Sequence, residues 1–300
     1  MAGGQATEHL LPAVTTWLTR VPAVVLVLTA IVSVQLGSSL AKGLFTAVHP
    51  VVAAWLRVTG AALLLGIVVR PRLRDRTRSQ WRIAATYAVC LTGMNALFYQ
   101  SIQRIPVGMA VTFEFLGPLA VAILTSRHRR DLIWVVLAGT GVALLGLSPE
   151  PLDGPGVLLA LLAGACWACY IVLTPRLAAA WEGFTGLTTG MLIGTVLLAP
   201  AALAATPWSG PWFCSPTLWG LGLGLGLLSS ALPYGLELRA LERMPRATFG
   251  ILMALEPAAA ALVAWLWLGE HLGWGGLAAM TSVIAASIGA VLTSRRAPSQ

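Results

Sequence analysis

Apolar runs of close to 20 residues, parted by short charged gaps, recur along the whole 300-residue chain. A bilayer core asks for about 20 apolar residues per helix. Inside it every backbone N–H and C=O must be satisfied within the protein, which leaves helices or closed barrels. Ten stretches have the helical length: 21–41, 50–69, 83–103, 106–125, 132–148, 155–174, 184–204, 217–238, 247–268 and 273–293. Only 10% of the residues are charged, against about 25% in a soluble domain. The chain is therefore expected to be an all-α integral membrane protein with ten transmembrane helices.

The charge surplus of +8 is almost all arginine, with Lys42 the one lysine. On a soluble protein it would suggest nucleic acid; here it sits in the gaps between apolar runs and reads as topology. With the N-terminus inside, the inner segments hold Arg20, the six arginines from Arg70 to Arg82, and Arg127, Arg129 and Arg130. They also hold Arg176, Arg239, Arg243, Arg246, Arg295 and Arg296. Only Lys42, Arg57 and Arg104 lie elsewhere, and the opposite loops 148–154 and 205–216 have no Lys or Arg. Positively charged loops stay cytoplasmic, so both termini are expected there. No signal-peptide cleavage site follows Arg20.

A segment in the first half has an echo in the second. QRIPVGMAVTFEFLGPLAVAIL (103–124) aligns with ERMPRATFGILMALEPAAAALV (242–263), placing Arg104 on Arg243, Pro106 on Pro245 and Pro118 on Pro257, 139 positions apart. Five helices per half is an odd number, so the second half enters the membrane inverted. Such inverted repeats are a common build for carriers. The expected organisation is a tail (1–20), a first five-helix repeat (21–148), a second (149–293) and a short C-terminal tail (294–300). Both tails are cytoplasmic in this reading.

Ionised side chains at a helix centre cost about 2.5–3.5 kcal/mol on insertion scales, so those present need partners or a wet cavity. Glu114 lies eight residues past Pro106, about 12 Å into the core at 1.5 Å per residue. Glu256 is similarly deep and aligns three positions beyond Glu114, nearly one turn on, which puts both on one face of equivalent helices. Pro118 has no N–H for the carbonyl of Glu114, nor Pro257 for that of Met253, so each helix should kink beside its carboxylate. Arg57 stays charged and is expected to meet Glu114, Glu256 or a carboxylate of the solute. Lys42, ending the first span, either serves the same solute or snorkels to the interface. Asn95, Tyr99 and Gln103 recur every four residues on the third span; Trp167, Tyr170 and Thr174 mark one side of the sixth. Such stripes line a pocket for a small polar solute or bond between helices. Glu237 and Glu242, near Arg239 and Arg243, read as surface salt-bridge partners. The glycines at 220, 222, 224 and 226 read as close-packing faces, and Trp208, Trp212 and Trp219 as an interface belt.

Other chemistry has little to build on. Cys90, Cys166, Cys169 and Cys214 read as small packing residues, the C-x-x-C at 166–169 lacking a second pair or a histidine cluster. The four histidines are scattered, and no phosphate loop, nucleophile elbow or zinc spacing occurs. Neither enzyme activity, metal, cofactor nor nucleic-acid binding is expected.

The chain resembles the EamA branch of the drug/metabolite transporter superfamily, and within it the bacterial threonine/homoserine exporters. The resemblance is carried by GSSLAKGLF (37–45), WLRVTGAALLL (55–65), LFYQSIQRIPVGMAVTFEFLGPLAVAIL (97–124), GACWACYIVL (164–173), SSALPYGLELRAL (229–241) and RATFGILMALEPAAAALVAWLWLGE (246–270). It implies a ten-helix inverted-repeat carrier in a bacterial inner membrane, exporting an amino acid in a proton-linked cycle. Its partners would be a small neutral amino acid, protons and lipid, with a homodimer compatible. A zwitterion needs an anion for its ammonium and a cation for its carboxylate. The roles expected are Glu114 for the ammonium or the coupled proton, with Glu256 as a second proton site. Arg57, helped by Lys42, would take the carboxylate, and Asn95, Tyr99, Trp167, Tyr170 and Tyr234 would line and orient. The alternatives are an exporter of another metabolite or drug, and a membrane scaffold or sensor that moves nothing.

Overall fold

The computed structural model describes residues 21–124, 132–145, 153–205, 215–241, 243–244 and 246–294. The tails 1–20 and 295–300 lie outside these residues, as do Arg127, Arg129, Arg130, Trp208, Trp212, Cys214 and Glu242. Regular structure among the described residues is entirely helical. In chain order the helices are α1 (Ala23–Gly43), α2 (Pro50–Val69), α3 (Arg78–Arg104), α4 (Val107–Glu114), α5 (Leu116–Leu124) and α6 (Leu132–Leu145). There follow α7 (Gly154–Ala180), α8 (Thr185–Ala205), α9 (Pro216–Gly226), α10 (Leu232–Leu241), α11 (Arg246–Met253), α12 (Glu256–Leu268) and α13 (Trp274–Ser294). A π-helical turn, Leu227–Ala231, joins α9 to α10.

Helix starts follow local capping. α3 begins five residues before the expected span because Thr77 and Gln80 form a capping box: Gln80 N donates to Thr77 Oγ1 (3.3 Å) and Thr77 N to Gln80 Oε1 (2.9 Å). Asp153 caps α7 by accepting from Gly156 N at 2.9 Å. These contacts satisfy N–H groups that a helix start otherwise leaves orphaned.

Six helical stretches are long and apolar enough to cross a membrane: Ala23–Thr46, Pro50–Val69, Gly154–Ala180, Thr185–Ala205, Pro216–Leu241 and Thr248–Leu268. Val107–Val121, Leu132–Gly141 and Trp274–Gly289 are shorter apolar helices. α3 is long but less apolar, because its polar stripe (Asn95, Tyr99, Gln103) and Arg78 and Arg82 dilute it. The outer surface is apolar, with Val196 71% and Leu266 69% exposed. Lipid is the solvent that suits such a surface.

Two of the expected spans are broken, at equivalent places. α4 (107–114) and α11 (246–253) coincide end to end under the 139-residue offset. The break falls at Phe115 in one and at Ala254–Leu255 in the other. Pro118 and Pro257 explain it, since neither supplies the N–H that Glu114 O and Met253 O would accept in a continuous helix. A third proline acts likewise: Pro233 withholds the donor for Ser229 O, and the helix widens there into the π turn.

Packing follows the same exchange of halves. α3 lies on α7 as α10 lies on α1; α3 meets α8 as α9 meets α2; α4 and α5 meet α7 as α11 and α12 meet α1. α2 with α8, α4 with α12 and α6 with α13 pair across the halves. Backbone-to-backbone crossings need glycine at two places. A Cβ on Gly117 would overlap the Gly164 carbonyl, where α5 crosses α7; one on Gly60 would overlap the Gly222 carbonyl, where α2 crosses α9. Of the glycine run of α9, Gly222 and Gly226 form the packing face, while a Cβ on Gly220 or Gly224 would meet nothing, so the expected second face is not used; Trp219 stacks edge-on against Trp55 at 5.6 Å.

Candidate functional site

Between the halves lies a cavity of about 570 Å³, walled by α1–α5, α7, the π turn and α10–α13. Its charged residues are Arg57, Glu114, Glu237 and Glu256. Both helix breaks open onto it: Glu114 is the last residue of α4 and Glu256 the first of α12. Each of these two is more than nine-tenths buried, at 8% and 6% exposure. Among the described residues, no hydrogen bond or ion pair reaches the carboxylates of Glu114, Glu237 or Glu256.

Arg57, 5% exposed, meets none of the carboxylates the sequence offered it. Its Nη2 donates to Ser229 O at 2.8 Å and its Nε to Ser230 Oγ at 3.2 Å, with the Tyr99 ring 5.6 Å from the guanidinium carbon. The reason is the π turn: Pro233 leaves Ser229 O without a helical donor, and a guanidinium fork takes it. Nη1 makes no hydrogen bond among the described residues. The arrangement is a buried cation held by neutral groups at the edge of a cavity, with donor capacity left over for an anion.

Polar atoms around it are also unfilled. Gln35 Oε1, Asn95 Oδ1, Ser229 Oγ and Ser287 Oγ are buried without a hydrogen-bond partner, and all four residues line the cavity. Asn95 is oriented by donating Nδ2 to Leu91 O at 2.7 Å. Buried polar groups are ordinarily satisfied; four orphans from four elements around one cavity mark a place for a polar occupant.

The expected residues divide. Arg57, Asn95, Glu114, Trp167, Tyr170, Tyr234 and Glu256 line the cavity together. Trp167 is steadied edge-on by Phe115 at 5.5 Å, and Tyr170 lies against Tyr87 at 5.0 Å. Tyr99 is fully buried one layer back and contacts Arg57 through its ring. Lys42 does not line the cavity: its Nζ lies 2.6 Å from Glu270 Oε1 and donates to Ile105 O at 3.0 Å. Neither snorkelling nor solute binding accounts for its position there; it ties α1 to the α3–α4 turn and the α12–α13 loop.

Glu237, expected at the surface among arginines, lines the cavity instead. It lies three residues past Tyr234 and four before Leu241, on the same face of α10. That spacing from Pro233 and Tyr234, both visible in LPYGLELRAL, was the signal to follow.

Comparison with known proteins agrees with this architecture. A solved crystal structure superposes with a TM-score of 0.61, covering 91% of this chain and 99% of its own, at 19% identity. The chain is 43% identical over 279 residues to the threonine/homoserine exporter RhtA of Salmonella typhimurium LT2, covering 92% of this chain and 93% of that one. It is 43% identical over 277 residues to RhtA of Escherichia coli K12, covering 91% and 92%. A probable terminal-alkyne amino-acid exporter of Streptantibioticus cattleyicolor matches at 26% identity, covering 71% and 74%. Residues 21–148 and 154–294 each match the EamA-like transporter family. With both halves matched and this packing between them, the chain belongs to the EamA-like transporter family, as a multi-pass membrane protein.

Proposed function

We propose that this protein exports small neutral amino acids, threonine and homoserine first among them, across a bacterial cytoplasmic membrane in exchange for protons. In this reading the chain crosses the membrane ten times, as inverted repeats 21–148 and 149–293 with both termini cytoplasmic. The matched helix breaks and the packing that survives exchange of the halves support that organisation.

One observation carries the substrate class: Arg57, without a carboxylate partner among the described residues, shares a cavity with Glu114. The solute's carboxylate bonds to the free Nη1 face of Arg57. Its ammonium goes to Glu114, where the unbonded end of α4 adds the negative pole of a helix dipole. Asn95 Oδ1, Tyr170 and Tyr234 take up the remaining polar hydrogens, and Trp167 closes one side. A carboxylate in this setting binds either the ammonium or a proton, not both. That competition couples solute leaving the cell to a proton entering it. Glu256, at the equivalent break, offers the proton a second acceptor. Tyr99 supports Arg57 from behind, and Lys42 acts at the end of the molecule.

The test uses inside-out vesicles holding the protein, acid inside, with labelled threonine and homoserine outside. Uptake into these vesicles is equivalent to cellular export. Gradient-dependent accumulation that collapses with a protonophore is expected. Intact, correctly inserted protein with no accumulation of either solute would remove the amino-acid reading and leave the fold.

A further inference from the structure

We propose that Glu237 and Glu256 form a second cation subsite in the cavity, which admits amino acids carrying a side-chain ammonium. The inference rests on the amino-acid reading above, because it uses Arg57 as the anchor for the solute's carboxylate.

Glu237, on α10, and Glu256, at the start of α12, line the same cavity. Among the described residues Arg57 is the only cation in the lining, and it is tied to Ser229 and Ser230. Among the described residues neither Glu237 nor Glu256 has a hydrogen-bond or ion-pair partner. A separate observation points the same way: Ser287, 5% exposed and on the facing helix α13, lines the cavity with its Oγ unpartnered. Tyr170, Tyr234 and Phe249 also line the cavity. Carboxylates with an acceptor hydroxyl and aromatic faces suit an ammonium group. A carboxylate pair without a cation, Glu256 buried and Glu237 half-buried, is costly, and a proton or an ammonium relieves it.

Spacing selects the solute. Arg57 is bonded to Ser230 in the π turn, and Glu237 follows seven residues later on α10, about 10 Å along the axis. An amino acid held by its carboxylate at Arg57 and its α-ammonium at Glu114 therefore points its side chain along α10 toward Glu237. A side chain of four methylenes ending in an ammonium reaches that far; threonine stops well short. The cavity of about 570 Å³ corresponds to about 19 waters at 30 Å³ each, ample for the longer solute. With threonine bound, a proton or waters fill the subsite.

Full-length protein reconstituted in lipid would be titrated with lysine and with norleucine, which has the same chain and no side-chain amine. Lysine is expected to bind about tenfold more tightly or better, and Glu237→Gln to bring the ratio of the two affinities close to one. Equal affinities in the unaltered protein would overturn the subsite without recourse to any variant. So would a ratio that survives Glu237→Gln, or Glu237→Ala should the glutamine variant fail to fold. Threonine transport without a lysine preference removes the subsite and leaves the amino-acid reading. A Glu237-dependent lysine preference without threonine or homoserine transport keeps the subsite and removes the neutral-substrate reading.

Discussion

The roles proposed for Glu114 and Arg57 rest on what these residues lack. Each is buried, and neither finds an ion-pair partner among the described residues. Leaving a charge in that state is expensive unless a ligand or a proton completes it. Glu114→Gln keeps the shape and removes the charge. It should abolish transport driven by a pH gradient while leaving protein abundance near normal, measured by vesicle uptake and immunoblot side by side. Normal gradient-driven uptake by that variant would take both the proton and the ammonium away from Glu114. For Arg57 the informative comparison is between lysine and alanine. Arg57→Lys retains a charge but cannot hold Ser229 O, Ser230 Oγ and a carboxylate in one plane, so threonine affinity should fall at least about tenfold. Arg57→Ala should lose export altogether. An Arg57→Ala variant that still exports would mean a solute without a carboxylate, such as a hydrophobic cation.

At the scale of elements, three prolines shape the site, each by withholding one N–H. Two were legible in the sequence, because Pro118 and Pro257 align in the repeat and each follows a glutamate in an apolar run. The third was not, since Pro233 stands outside the aligned segment and its effect depends on what fills the vacated acceptor. Only the folded chain brings Arg57, 173 positions away, to Ser230. The same limit hid Glu237: neighbouring arginines gave it an adequate surface partner in sequence, while helical phase after the π turn turns it inward. The partner of Lys42 was hidden for a related reason, as Glu270 lies in the last loop of the second half. Intrahelical spacing was readable, and contacts between distant helices were not. Pro233→Ala tests the π turn directly. A proline in a helix interior costs about 3 kcal/mol relative to alanine, and the restored N–H would compete with Arg57 for Ser229 O. The variant should melt higher than the parent in detergent and yet bind threonine more weakly. A higher melting temperature with unchanged affinity would show that Arg57 does not depend on that carbonyl.

The whole molecule is fastened differently at its two ends. At one end Lys42 pairs with Glu270, Lys42 also donates to Ile105 O, and Glu270 Oε2 accepts from Val107 N at 2.8 Å. Arg104 adds a contact to Asp153 at 3.4 Å. Its repeat counterpart Arg243 donates to Val21 O at 2.9 Å. The aligned arginines thus each pin the turn before a broken helix to the start of the first helix in the other half. The Lys42–Glu270 pair has both side chains mostly buried; it joins α1 to the loop after α12, and so one repeat to the other. In the proposed topology this is the outer end, and the cavity wall reaches instead toward Thr174, Leu241 and Val291 near the inner ends of α7, α10 and α13. Release to the outside then requires α1 and the α12–α13 loop to part. Cysteines at positions 42 and 270, in a chain with its four native cysteines replaced, can be bridged by a short bifunctional thiosulfonate reagent. Bridging should arrest threonine export, and reduction of the bridge should restore it. The unbridged double variant, having lost the ion pair that closes this end, should spend less time closed than the cysteine-free chain with Lys42 and Glu270 intact, and exchange labelled threonine from the outer side faster in counterflow. Undiminished export with the bridge shown complete would mean that these helices stay together through the cycle and that the exit lies elsewhere between the repeats.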